Sequence, residues 1–176
     1  LIDKNEEAAI KIATDVIDNF QNIYEKKWLN MMRDKLGLFG EDKNDRQLID
    51  DLLNWMEKYK IDYTNTFCHL MEIKIDENTY KDEAFITWFD EWKKRSKLNN
   101  SSKEKQIELM KKNNPIVIPR NHKVEEALTE ANNGNLEKMK KLNDILKNPY
   151  SNQKNIAEYQ VPAPISNEKY QTFCGT

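Results

Sequence analysis

Four soft side chains in this 176-residue chain, Cys68, His69, His122 and Cys174, are of the types that ligate metals or attack electrophiles. Cys68 and His69 are neighbours, so on a helix they point about 100° apart, and the remaining spacings match no zinc pattern. Metal binding is therefore not expected. His69 sits between Phe67 and Leu70 and reads as an ordinary core or surface imidazole. His122 stands in Pro119-Arg120-Asn121-His122-Lys123 at the expected start of a helix, where free amides and cationic side chains suit an anion or a partner's carboxylate. Capping by Asn121 accounts for the same residues, and the two readings stand side by side. Cys174 lies third from the last residue, where another thiol could reach it, although the nearby terminal carboxylate disfavours the thiolate.

Other chemistry is limited by what the chain lacks. Its glycines are Gly37, Gly40, Gly134 and Gly175, too few and too scattered for a phosphate-cradling loop. The run Lys93, Lys94, Arg95 and Lys97 beside Trp88 and Trp92 has the look of a nucleic-acid patch, yet a helix C-terminus favours the same charges. With 28 basic and 30 acidic residues the net charge is −2, which favours the second reading and a chain with no nucleic-acid partner.

The elements that must hold these groups are helical. Four glycines and five prolines are too few for a fold built on tight turns, and the two cysteines make no disulfide framework, which points to a reducing, cytoplasmic setting. Mean hydropathy is −0.91 and no run approaches 18 apolar residues, so no membrane span is expected. The absence of an initiator Met reads as a piece of something longer.

The spacing predicts an all-α fold of about seven helices with a long first one. Ala9, Ile10, Ala13, Val16, Ile17, Phe20, Ile23, Tyr24, Trp28 and Met31 recur every three or four residues from about Asn5 to Leu36, which at 1.5 Å per residue is roughly 45 Å of helix. A second apolar side at Leu29, Met32 and Leu36 marks it as a helix that another domain covers. Asn44 with Gln47, and Ser101 with Glu104, read as capping boxes. Between them a short helix is expected over Thr64 to Met71, and another opens at Asp82 with Phe85, Trp88, Phe89 and Trp92. Ile73 and Ile75 alternate as one short strand would. The last two helices start near Asn121 and Leu136 and stop at Gly134 and Pro149. This divides the chain into a helical domain, 1–148, and an extended, Pro-containing tail, 149–176.

Several strings are familiar in combination: Trp28 to Leu38 (WLNMMRDKLGL), Leu48 to Leu53 (LIDDLL), Asp62-Tyr63-Thr64 leading to Phe67, and Asn114-Pro115 with the run from Ile118 to Leu128. With Asn148-Pro149-Tyr150, Gln153 and the ending Tyr170 to Thr176, they resemble the C-terminal third of the selenoprotein O family. The resemblance implies a parent with a protein-kinase-like fold that binds ATP and Mg²⁺ and transfers AMP to hydroxyls of proteins. The family's ATP, metal and catalytic residues lie upstream of the matched region, so no catalytic, cofactor or metal role falls on a numbered residue here. Cys174 occupies the near-terminal place of the family's Cys or selenocysteine, which implies a redox role. The expected partners are the parent's kinase-like catalytic domain and its protein substrates, in a bacterial cytoplasm, and the alternative is a stand-alone helical interaction module. A piece cut from its neighbour should also expose an apolar patch, or self-associate, through the first helix and the face of Phe85, Trp88, Phe89 and Trp92.

The two thiols should separate in solution. Titration of the native chain with a chromogenic disulfide is expected to give one slow-reacting thiol that disappears in Cys174→Ser, with Cys68 reacting only in denaturant. A first reaction at Cys68 would contradict the accessible tail.

Overall fold

The computed structural model describes residues 2–73 and 78–164, and among them are helices and a single 3-10 turn at Thr79–Lys81 but no strand. The Ile73 and Ile75 alternation falls partly outside the described residues. The chain gathers into two units, Leu1–Asn114 and Pro115–Thr176.

The first unit begins with the long periodic segment, realised as α1 (Glu6–Asp18) and α2 (Phe20–Lys35). They meet at Asn19, whose φ of −83° and ψ of −6° stay close enough to helical that its N–H reaches Asp15 O at 3.1 Å and its carbonyl accepts from Ile23 N at 3.1 Å. Asn5 caps α1, its Oδ1 accepting from Ala8 N at 3.1 Å, yet α1 contains no buried residue. In α2 the buried residues are Met32 and Arg33, and Leu36 just beyond is fully buried. At about 100° per residue Leu29, Met32, Arg33 and Leu36 lie on one side of the cylinder and Ile10, Ile17, Phe20 and Tyr24 on the other. The shorter apolar side, and not the main stripe, packs into the unit.

Helix α2 lies against α3 (Asp45–Tyr59) and α6 (Lys103–Asn113), and α3 against α5 (Glu83–Lys97), while α4 (Tyr63–Leu70) lies between α3 and α5 in the sequence. The end of α2 is held by side chains from far along the chain. Its closing carbonyls at Lys35, Leu36 and Gly37 accept from Asn114 Nδ2 at 2.8 Å, Trp92 Nε1 at 3.0 Å and Asn99 Nδ2 at 2.9 Å. These are carbonyls a helix terminus leaves without internal partners. Gly37 itself has φ of +66°, and a Cβ there would stand 2.5 Å from Gln106 Cγ, so both backbone and space demand glycine.

Aromatic packing fills the rest. Trp55 meets Phe85 at 4.8 Å between centroids, and Phe89 meets Trp92 at 5.2 Å. Each of these tryptophans has its N–H answered: Trp55 by Asp82 Oδ1 at 2.9 Å, Trp88 by Leu48 O at 2.8 Å and Trp92 by Leu36 O at 3.0 Å. Phe85, Trp88 and Trp92 are therefore buried, which corrects the expectation that their face stays uncovered. Satisfied indoles make a wall that belongs inside.

At the centre of the unit Asp45, with no exposed surface, is gripped by two arginines that are themselves buried. Arg33 Nε reaches Asp45 Oδ2 at 2.6 Å and Arg95 Nε reaches Oδ1 at 2.6 Å, while Asp42 N donates to Oδ2 at 2.9 Å. Arg95 also donates to Gly40 O at 3.2 Å and Asn99 Oδ1 at 3.0 Å, and Arg33 to Asn30 Oδ1 at 2.8 Å. This changes the start of α3. Asn44 is helical there, at φ of −91° and ψ of −4°, with no side-chain cap bond, and Gln47 turns to Asp51 Oδ1 at 2.7 Å, so the expected box does not form. In α6 the cap is Ser102, one residue beyond the expected Ser101. Asp62 and Asp82 cap α4 and α5, accepting from Asn65 N at 2.8 Å and Phe85 N at 3.1 Å.

The second unit is a pair of packed helices, α7 (Asn121–Asn132) and α8 (Glu137–Leu146), turned at Gly134, whose φ is +87°. Ala127, Leu142 and Ile145 form its buried seam. The stretch expected to be extended from Tyr150 contains one helical turn, α9 (Ala157–Gln160), with Ile156 and Tyr159 buried. That turn lies too short in sequence to show a helical period, and it is fixed by contacts from elsewhere. Gln160 Nε2 donates to Ile116 O at 3.2 Å, and Ile116 N to Pro149 O at 2.7 Å.

Burial alone would raise the Asp45 carboxyl, but hydrogen bonds from Arg95, the Asp42 amide and Arg33 outweigh it and hold the group below the ordinary carboxylate range. A carboxyl that binds its proton less tightly folded than unfolded contributes stability that is complete above the unfolded value of about 4 and lost as pH falls through the folded one. Asp45→Asn should lower stability by about 3–5 kcal/mol at pH 7, because two buried guanidiniums lose their counter-charge. It should also flatten the loss of stability below pH 4. Urea midpoints of both proteins at pH 7 and pH 3.5 measure each effect.

Candidate functional site

Pro119, Arg120, Asn121 and His122 are brought together at the start of α7, but not in the arrangement an anion site needs. Arg120, and not Asn121, is the residue before the first turn, with φ of −66° and ψ of 131°, and no side chain caps it. Asn121 is exposed as the first helical residue, which corrects the capping reading. Arg120 O accepts from Lys123 N at 2.9 Å and Val124 N at 3.0 Å. Its buried guanidinium donates through Nε to Tyr159 O at 3.2 Å, tying α9 to the start of α7.

Lys123 reaches Glu126 Oε2 at 3.3 Å and lies 5.8 Å from the centre of the Tyr159 ring. Two of the motif's cationic groups thus have protein acceptors. His122 is half-buried and its Nδ1 has no hydrogen-bond partner. Burial first, then the Lys123 and Arg120 charges, hold its pKa below the ordinary histidine value against a smaller opposing pull from Glu126. The pair Lys141 and Glu158, and Lys138 between Glu126 at 2.5 Å and Glu130 at 3.2 Å, complete a charged lattice over this unit.

The thiols and the remaining histidine are as separate as their spacing implies. Cys68 is fully buried in α4, where Lys35 Nζ lies 5.0 Å from the Phe67 ring centre and donates to Asn113 O at 3.0 Å. Burial lowers the Lys35 pKa, and the neighbouring Cys68 works in the opposite direction, so this thiol does have a cation nearby. His69 stacks on Tyr80 at 3.9 Å between ring centres, a packed imidazole. Cys174 lies outside the described residues. Among those described, no group of three or more His, Cys, Asp or Glu is placed to hold a metal ion.

The basic run divides in a way its sequence conceals. Lys93 and Lys94 pair with Asp90 at 2.9 Å and Glu91 at 2.6 Å on the exposed face of α5, whereas Arg95 turns into the core to Asp45. A cleft of about 490 Å³ opens at this place, lined by Asp42, Asp45, Asp51, Glu91, Lys94 and Arg95 among others. Asp45 accepts from both arginines and the Asp42 amide and is kept ionised, so it has no proton to give to a substrate. The triad Arg33, Asp45 and Arg95 is the arrangement that sequence reasoning missed. Arg33 and Arg95 stand in the last turns of their helices and Asp45 in the first turn of its own, where such charges are ordinary, so nothing local singled them out.

The groups described hold helices together, and comparison shows what class of protein such helices come from: residues 5–147 match the family described as Protein adenylyltransferase SelO, and the chain belongs to that family. The family to which the strings around Trp28 and Pro119 pointed is thereby shown. Among individual relatives, the "Protein nucleotidyltransferase YdiU" of Pelagibacter ubique (strain HTCC1062) is 55% identical over 177 residues, covering 100% of this chain and 37% of its own length. Proteins of the same name from Bacillus cereus (strain AH820) and Clostridium perfringens (strain 13 / Type A) are 46% and 45% identical, each with 36% of its length covered. The chain spans about a third of the length of these relatives.

His122 offers a direct check on the geometry at α7. Its imidazole, followed by NMR through a pH titration, should lose its proton below the ordinary value of about 6.5. A depressed histidine favours the fold while neutral, so its contribution is present above the unfolded value and lost as pH falls through the folded one. An imidazole that titrates above 6.5 would place a carboxylate, not Lys123 and Arg120, beside it.

Proposed function

We propose that this chain is the C-terminal helical accessory part of a protein adenylyltransferase and performs no chemistry alone. In the longer protein AMP passes from ATP to a Ser, Thr or Tyr hydroxyl of a protein, pyrophosphate leaving, on a kinase-like catalytic part that lies outside this chain. The observation that carries the accessory reading is the fate of the buried charges. Arg33, Asp45, Arg95 and Arg120 are all engaged with protein acceptors or donors, including Asp45 and Arg95 where they line the cleft beside α5. Transfer of a nucleotidyl group needs metal and cationic clamps set in advance around the phosphates. The side chains described here do not fit Mg²⁺ or ATP, and no step is routed through them.

The family's name and those of the relatives support the activity of the whole protein. Cys174 is proposed as its redox-responsive thiol, with oxidation acting on the catalytic part. No described helix is long and apolar enough to cross a membrane, which agrees with a proposed cytoplasmic setting.

Calorimetry of the chain with Mg-ATP is expected to show no binding up to millimolar nucleotide, while the full-length protein binds and transfers AMP. Micromolar binding by the chain, or AMP transfer by it to any protein, would overturn the accessory reading.

A further inference from the structure

Helices α1 and α2 carry apolar side chains on two opposite sides, and among the described residues only one of those sides is buried. The inner side, Met32 and Leu36, is 1% and 0% exposed. On the outer side Ile10, Val16, Ile17, Phe20, Ile23 and Tyr24 are between 48% and 71% exposed. At ordinary side-chain areas that is on the order of 500 Å² of apolar surface, the upper end of what a monomer leaves uncovered. The other exposed apolar residues, such as Leu98, Tyr150 and Val161, are scattered along the sequence. The stripe follows a heptad spacing through Ile10, Ile17, Tyr24 and Met31, which keeps one face in line over three repeats.

The helix is also short of support. A 13-residue helix in water is marginal by itself, and α1 has its cap but no buried residue to hold it. Its order calls for a covering surface. The relatives carry a segment 46–55% identical to this one on a chain nearly three times as long, so about two thirds of each lies outside the matched share and is available to supply one.

We propose that the outer face of α1 and α2 is the docking surface for the part of the longer protein that lies outside this chain, received as an apolar surface along the stripe from Ile10 to Tyr24. The proposal rests on the reading of the chain as one part of a larger adenylyltransferase. Lys11 lies on the side of α1 away from the stripe and remains in solvent when the face is covered.

Single cysteines report the cover directly. In a Cys174→Ser background, Ile17→Cys and, as a second position, Tyr24→Cys are labelled with a small maleimide, with Lys11→Cys as the control and circular dichroism confirming helix content. In the chain alone all three should react as exposed thiols. In the full-length protein the 17 and 24 positions should slow at least about tenfold while position 11 is unchanged. Equal rates at 17 and 24 in both proteins overturn the docking. Slowing in the chain alone that grows with its concentration also overturns it, because a second copy is then the occupant. AMP transfer measured on the same full-length preparation keeps the two readings apart: transfer without protection removes the docking alone, and protection without transfer removes the activity alone.

Discussion

A carboxylate with no exposed surface must be answered, and in this protein the answer given to Asp45 determines how the first unit is assembled. Arg33 comes from α2, Asp45 from the start of α3 and Arg95 from the end of α5, so one ion network fixes three helices in mutual register. The arginines pass the constraint outward, Arg95 to the backbone at Gly40 and to Asn99, and Asn99 in turn to Phe39 N and Gly37 O. Burying the three charges carries a large desolvation cost that is offset by their mutual pairing and by further hydrogen bonds to Asn30, Asn99 and the backbone at Gly40. Such a network contributes little to net stability against an apolar core of the same volume. What it does is penalise every other arrangement of these helices, since any register that leaves a guanidinium without its carboxylate is strongly unfavourable.

The same network decides which side of α2 faces inward. Arg33 has to reach Asp45, and Met32 and Leu36 share its side of the helix, so the larger apolar stripe is turned away from the unit. The helix therefore serves two surfaces at once. Its inner side belongs to the fold described here, and its outer side is left exposed, the observation on which the proposed docking rests. Where the helix ends, Asn114, Trp92 and Asn99 accept the role of caps for its last carbonyls. A terminus that depends on residues nearly eighty positions away forms only once the whole unit has closed.

In the second unit the motif around Arg120 is legible as a string but not as a device. Its residues suggest an anion site until the geometry shows Arg120 donating to Tyr159 O and Lys123 turned toward Glu126 and the Tyr159 ring. A guanidinium goes to whichever acceptor the fold brings near, and Tyr159 is 39 residues away. Nothing in the local sequence identifies it.

Periodicity and cap chemistry by themselves determined the helical class, the helix opening at Asp82, the stops at Gly37 and Gly134, and the apolar stripe of the first helix. The strings from Trp28 and from Pro119 determined the family. These features are local, set by side chains within a turn or two of each other, and so they can be read in order along the chain. Only the tertiary structure decided that the stripe faces out and the aromatic face of α5 faces in, that Asp45 displaces the expected capping box, and that a turn of helix forms at Ala157–Gln160. Each of those outcomes rests on partners distant in sequence, where the energy of burying a charge, an indole N–H or a carbonyl is decided by what stands opposite it and not by its neighbours.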